Sequence, residues 1–195
     1  MRLLLATRNA KKLVELRRIL AESTSVELVG LDDVPPYPEE PETALTFEGN
    51  ALAKARDGVR HTGLPCVADD SGLTVDALNG MPGVFSARWS GRHGDDAANL
   101  ALLLGQLGDV GDEDRGGAFV CAAALVFPDG REHVVRGEVR GRVLREPRGV
   151  NGFGYDPVFV PDGFEISTAE MSADEKDAIS HRGKAFRAVA ELLGA

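Results

Sequence analysis

"AFVCAAALVFPDGREHVVRGEVRGRV", residues 118–143, is the stretch on which the fold turns. Two strand-like runs, 118–127 and 132–143, flank Pro128-Asp129-Gly130, and that spacing reads as a hairpin. Upstream the chain alternates strands with helices instead. "RLLLA", 2–6, reads as a buried strand. Residues 10–22 read as a helix, because Leu13, Leu16 and Leu20 recur at helical spacing among Lys and Arg. "VELVG", 26–30, is a second strand, and the Pro- and acid-rich stretch 31–46 a loop. Residues 47–60 return to helical pattern through Ala51, Leu52, Ala55 and Val59. "PCVAD", 65–69, and "LTVDA", 73–77, read as two strands, followed by a Gly/Pro loop over 78–91. A helix over 95–107 has Asp95 or Asp96 as N-cap, and an acidic turn follows. Beyond the hairpin come a Gly-rich loop at 145–157, a short strand "VFV" and a last helix reaching about Leu193. Ser172 and Glu175 have capping-box spacing. Alternation first and a hairpin later predict a mixed α/β fold, a twisted central sheet with helices around it. No repeat or linker divides residues 1–195, which read as one domain.

Composition narrows the function. With 43% hydrophobic residues the chain can bury a sizeable core. No apolar run approaches the ~18 residues of a membrane span. The apolar start lacks a small-residue cleavage site, so a cytoplasmic location is expected. A formal charge of −9 argues against a nucleic-acid or anionic-membrane binder but leaves room for a local phosphate pocket. Cys66 and Cys121 sit in apolar runs without nearby His ligands, so buried thiols are expected rather than a zinc site.

Five polar clusters fall near element ends. "TRNAKK", 7–12, lies where the first strand meets the first helix; it is an ordinary cap or a phosphate site, with Thr7 and Asn9 as donors and Lys12 as a charge. "DDSG", 69–72, is a turn or a strand end. If the strand continues, Asp69 and Asp70 point to opposite faces, and one can hold Mg²⁺ or activate water. Glu39, Glu40 and Glu42 are a solvated loop or a source of a metal ligand. In "GVNGFGYDP", glycines around Phe153 leave its ring free to stack on a base and backbone N–H groups accessible, with Asp156 as acceptor; the alternative is a glycine turn with Phe153 in the core. Lys176, His181 and Arg182 cluster as donors, or as a solvated basic face, with Ser180 able to cap a new helical turn.

Taken in order, "LATRNAKKLVEL", "ETALTFEGNALAKA", "VADDSGLTVDAL", "PGVFSARWSG", "FVCAAALVF", "GFGYDPVFVP" and "EKDAISHRGKAF" resemble the non-canonical purine NTP pyrophosphatases, the inosine/xanthosine triphosphate pyrophosphatase family. The resemblance runs over nearly the whole chain. It implies an elongated α/β fold with two lobes around a central nucleotide cleft, a homodimer and Mg²⁺ dependence. The implied reaction cleaves ITP, dITP or XTP between the α and β phosphates. By resemblance, the phosphate-binding segment falls on Thr7, Arg8, Asn9, Ala10, Lys11 and Lys12, with Lys54 near the phosphates. The metal ligands fall on Glu42 (Glu40 as fallback) and Asp70, which is also the base, with Ser71 touching substrate. Base recognition falls on Phe153, Gly154, Tyr155, Asp156, Lys176, His181 and Arg182. Asp69 is left as a supporting acid, bound to backbone or to a lysine such as Lys54. Two positions depart from the family pattern: Arg8 stands where glycine is usual, and Asn151 precedes Gly152 where a second glycine is usual.

Overall fold

The computed structural model describes residues 1–23, 26–38 and 41–194. The order is β1 (Arg2–Leu5), α1 (Ala10–Ser23), β2 (Glu27–Val29), α2 (Phe47–Thr62), β3 (Cys66–Val75), α3 (Asp96–Gln106), β4 (Gly116–Val126), β5 (Glu132–Val143), β6 (Phe159–Pro161), α4 (Ala173–Ile179) and α5 (His181–Leu192). The strands form one sheet in the order β2-β1-β3-β4-β5-β6. β1 pairs in parallel with β2 and β3, as crossover helices require, while β6 runs antiparallel to β5. The expected mixed α/β architecture is the one observed.

The hairpin that decided the reading is present. Its turn is closed by the Phe127 N–H donating to the Arg131 carbonyl at 2.9 Å. β4 is buried along nearly its whole length, so its apolar run does not alternate. β5 alternates, with Gly137, Val139, Gly141 and Val143 buried and the residues between them exposed.

Three expectations change. "PCVAD" and "LTVDA" are one ten-residue strand, because the Asp69-Asp70-Ser71-Gly72 segment continues the ladder instead of turning. The Gly/Pro loop contains a 3-10 turn at Gly83–Arg88, and the segment before it another at Asp76–Leu78. The last helical stretch is two helices: α4 starts at the Ser172/Glu175 capping box and stops at Ser180, whose ψ of 154° is extended, and α5 starts at His181.

The chain divides into two compact units. The first comprises Met1–Asp70, Cys121–Gly137 and Arg182–Ala195, and the second Ser71–Val120 and Glu138–His181. The first has its own core, in which Leu3, Leu16, Leu20, Val67, Phe186 and Val189 are buried. The second packs Leu73, Leu103, Leu107, Phe119, Val158 and Phe159. Arg115, buried in the second unit, donates to the carbonyls of Leu107, Val143 and Leu144 at 2.6–2.8 Å, so its charge serves three backbone acceptors.

Candidate active site

In the first unit, the segment after β1 is organised by Asn9. Its Oδ1 accepts the Lys11 and Lys12 amides at 3.1 and 3.2 Å, and its own amide donates to Thr7 Oγ1 at 3.2 Å. These are helix-capping bonds, so two N-terminal amides of α1 are already engaged within the segment. Arg8 is exposed, and its Nη2 donates to the Tyr37 carbonyl at 3.4 Å. Arg8, which stands where the resemblance leads one to expect glycine, thus ties this segment to the Pro-rich loop. Ala10 and Lys11 are exposed at the start of α1. Lys12 reaches inward, with Nζ 2.8 Å from Asp69 Oδ2.

Because β3 runs through both acids, their side chains leave opposite faces, and they meet different company. Asp69 is 2% exposed. It has Lys12 at 2.8 Å, Arg182 Nε at 3.7 Å and the Cys121 thiol at 3.9 Å. Burial alone would raise the Asp69 carboxyl, but Lys12, Arg182 and Lys54 together outweigh it and hold it well below the usual carboxylate range. Its lysine partner is therefore Lys12. Lys54 binds not the carboxylate but the Asp69 backbone carbonyl, at 2.6 Å.

Asp70 is 6% exposed. The Asn50 amide donates to its Oδ2 at 2.9 Å, and Asn50 Oδ1 in turn accepts the Ala44 amide at 2.9 Å. Burial raises the Asp70 carboxyl above its ordinary value; Lys54 and the Asn50 bond oppose this and Glu42 adds to it. Lys54 Nζ donates to Glu42 Oε1 at 2.8 Å. Burial would lower the Lys54 ammonium, yet Asp69, Asp70 and Glu42 raise it, so it remains charged. Glu42, Lys54, Asn50 and Asp70 therefore form one oxygen-rich constellation of two carboxylates around one ammonium. Glu39 and Glu40 lie outside the described residues. No cluster of three or more His, Cys, Asp or Glu able to hold a metal occurs among the described residues.

The second unit holds the other set. Ser71 is partly exposed in β3. Phe153 is half-buried, so it is neither a core residue nor a free ring. Asp156 is 2% exposed and accepts three bonds: from Phe153 N–H at 2.8 Å, Thr168 Oγ1 at 2.9 Å and Lys176 Nζ at 2.7 Å. Gly152 has a φ of 70°, and a Cβ there would lie 2.1 Å from Asp156 Oδ2, so the loop needs glycine at that place. Gly154 N–H donates to Asp96 Oδ2 at 3.1 Å, and Tyr155 OH to the Ser86 carbonyl at 2.8 Å. The two backbone amides expected to be accessible beside Phe153 are thus both bound by carboxylates. Lys176 Nζ stands 5.2 Å from the centre of the Phe153 ring. His181 stacks on Phe119, with centroids 4.9 Å apart, and with Lys176 and Thr168 it lines a small cavity.

Arg182, expected beside Lys176 and His181, belongs to the first unit. It is 4% exposed and paired with buried Glu15 through a short bond, as well as with Asp69. Burial would lower the guanidinium, and Glu15 and Asp69 raise it. Glu15 and Asn50 carry no motif that marks them, and Asp96, a candidate N-cap by position, is engaged elsewhere. Asn50 carries only a positional signal, since it lies one helical turn before Lys54. The Glu15–Arg182 pair spans 167 positions and no local pattern announces it.

A family model described as the Ham1 family matches residues 3–192. A dITP/XTP pyrophosphatase of Nocardia farcinica is 66% identical over 196 residues, covering 100% of this chain and 95% of that protein. A dITP/XTP pyrophosphatase of Streptomyces avermitilis is 60% identical over 198 residues, covering 99% of each. Among solved structures, a nucleoside-triphosphatase / dITP/XTP pyrophosphatase of Mycobacterium abscessus is 64% identical, with a TM-score of 0.80, covering 97% of this chain and 98% of that one. A HAM1 protein of Coxiella burnetii is 39% identical with a TM-score of 0.89, covering 100% and 98%.

Proposed function

This chain belongs to the Ham1 family, and we propose that it hydrolyses deaminated purine nucleoside triphosphates, ITP, dITP and XTP, to the monophosphate and pyrophosphate. The reading fits relatives that carry the name dITP/XTP pyrophosphatase over nearly their whole length. The observation that carries the chemistry is Asp70: a desolvated carboxylate held by Asn50, with Glu42 and Lys54 beside it.

The donor set suits a hard divalent cation, because Glu42 and Asp70 bring carboxylate oxygens to one charged neighbourhood. Glu42 and Asp70 would hold it, with Mg²⁺ as the ion of choice and the remaining positions left to water and phosphate oxygens. When bound, it offsets charge on the phosphates. The other roles belong to the chain. Asp70 takes the proton from the attacking water as its oxygen bonds to the α-phosphorus. The bond from that phosphorus to the bridging oxygen breaks, and pyrophosphate leaves. Lys54 and Lys12 stabilise the charge on the leaving group, and Thr7 to Lys12 line the phosphate end. Asp69 keeps Lys12 turned inward.

Base recognition goes to the second unit. Phe153 offers its half-buried ring for stacking, and Ser71, Gly154, Tyr155 and His181 complete the set. Lys176, held by Asp156, presents an ammonium of the kind that donates to a 6-oxygen. Adenine presents an amino group there, so donor would meet donor, and such a site discriminates strongly. Asp156 serves by holding Lys176 and the loop. Arg182, expected as a second donor to the base, acts in this reading through Glu15 and Asp69.

We assign the working form as a homodimer in the cytoplasm, where nucleotide pools are kept. No helix among the described residues is long and apolar enough to cross a membrane. One assay tests the function: incubation with ITP, XTP, GTP and ATP in Mg²⁺, scoring pyrophosphate against orthophosphate. Pyrophosphate from ITP and XTP is expected; orthophosphate as first product would overturn the reading.

A further inference from the structure

We propose that Asp96 is a positioning residue for purine recognition, which it serves by holding the Gly154 amide and thereby fixing the Phe153 ring. The inference rests on the reading of Phe153 as the platform for the base.

Two acids open α3, and they do different things. Asp95 is the cap: its Oδ1 accepts the Ala98 amide at 3.1 Å. Asp96, the first helical residue, is not needed for that task. Its Oδ2 accepts the Gly154 amide at 3.1 Å, across 58 positions of sequence. A carboxylate acceptor makes this a charge-assisted bond, stronger than one between neutral groups.

The bond lands where it has leverage. The amide of Phe153 is already bound by Asp156 at 2.8 Å, so Asp96 clamps the next peptide. With the peptides on both sides of the Phe153 side chain fixed, its backbone cannot rotate, although glycine flanks it on either side and Gly154 has a φ of 62°. Tyr155 extends the attachment by donating to the Ser86 carbonyl at 2.8 Å. Burial raises the Tyr155 phenol, and the nearby Asp96 carboxylate adds to the rise. The helix end is itself anchored. Asn99 accepts from the Ser90 amide and hydroxyl at 2.7 and 2.8 Å and donates to the Ala87 carbonyl at 3.1 Å. The first turn of α3 is therefore a fixed post, and Asp96 ties the base loop to it. Order in that loop has a use: a stacking ring that is preordered loses less entropy when the base arrives.

The test compares wild type, Asp96→Ala and Asp96→Asn in steady-state hydrolysis of ITP with Mg²⁺. Loss of one charge-assisted bond from a loop that must then be reordered on binding predicts a KM about tenfold higher for Asp96→Ala. Its kcat stays within about twofold, because Asp96 touches no reacting atom. Asp96→Asn keeps an acceptor at the same reach and restores KM to within about threefold of wild type. An unchanged KM in the alanine variant, an equal fall in kcat, or an asparagine variant no better than alanine would each overturn the proposal. Amide exchange in the wild-type protein gives a measure independent of whether the variants fold: Gly154 N–H is expected to exchange slowly, and free exchange would also overturn it. Failure of the wild type to release pyrophosphate from ITP would instead remove the function on which the inference rests.

Discussion

Asp70 in the first unit and Asp156 in the second are both buried carboxylates, 6% and 2% exposed, yet they are employed differently. Asp156 accepts a backbone amide, a hydroxyl and an ammonium, all from its own loop and the elements beneath it. Asp70 is held by a neutral amide and raised above its ordinary value by burial, against the pull of Lys54, with a second carboxylate, Glu42, nearby. Burial does not by itself make a base. A carboxylate bonded to several protein donors is a structural tie; one kept desolvated beside another acid is poised to take a cation or a proton.

The sharpest way to break this contrast is a pair of isosteric changes. Asp70→Asn should lower kcat by roughly 10³-fold or more while leaving the melting temperature within a few degrees. Asp156→Asn should act mainly on KM and stability, since it loosens Lys176 and Phe153. Steady-state kinetics with thermal melting checks both, and a kcat loss centred on Asp156 would reverse the assignment.

Next is the buried guanidinium. Arg182→Ala removes the guanidinium from buried Glu15 and from Asp69, which keeps Lys12, and breaking such a buried pair costs about 3–5 kcal/mol. Denaturant unfolding measures it, and a loss below about 1 kcal/mol would refute the buried-pair account. Lys176→Met, in the second unit, should instead narrow the ITP-over-ATP preference by about 10²-fold with little change in kcat for ITP. An unchanged ratio would take base choice away from Lys176.

The thiols give a smaller and purely local signal. Both cysteines lie in the first unit, buried. Burial pushes the Cys66 thiol up to about 12, so at pH 8 only about 10⁻⁴ of it is thiolate. Alkylation at pH 8 should be negligible in the native protein and should rise as the first unit opens. Prompt labelling of the native protein would contradict the burial. The smallest effect belongs to the exposed Arg140–Asp76 pair of the second unit: despite a 2.5 Å contact, Arg140→Ala should change stability by no more than about 1 kcal/mol in urea unfolding.

The fold was legible where pattern is local. The hairpin, the first two helices and the Ser172/Glu175 capping box follow from turn residues, periodicity and caps. The single strand through Asp69-Asp70-Ser71-Gly72 was not legible as one element, because those residue types favour turns and only the paired neighbours make the strand continuous. For the proposed site, residue types, order and resemblance pointed to Asp70, Lys54 and Lys176. Their partners were hidden for a physical reason: Asn50, Glu15 and Asp96 are ordinary helix residues until distant chain meets them. Asp95 and Asp96 show this most plainly. Adjacent and chemically identical, one caps its own helix and the other binds a residue 58 positions away.

The Glu15–Arg182 pair also sets a timetable. Its partners are 167 residues apart. At translation rates of about 5–20 residues per second, that separation is roughly 8–33 s of synthesis. Throughout that interval the nascent first unit carries Glu15, and over the later part of it Asp69 beside Lys12, while the guanidinium that pairs with both acids is still unmade. Its charged interior closes only when the C-terminal helix arrives, so the growing chain passes through a stage in which this unit is open to chaperones and proteases.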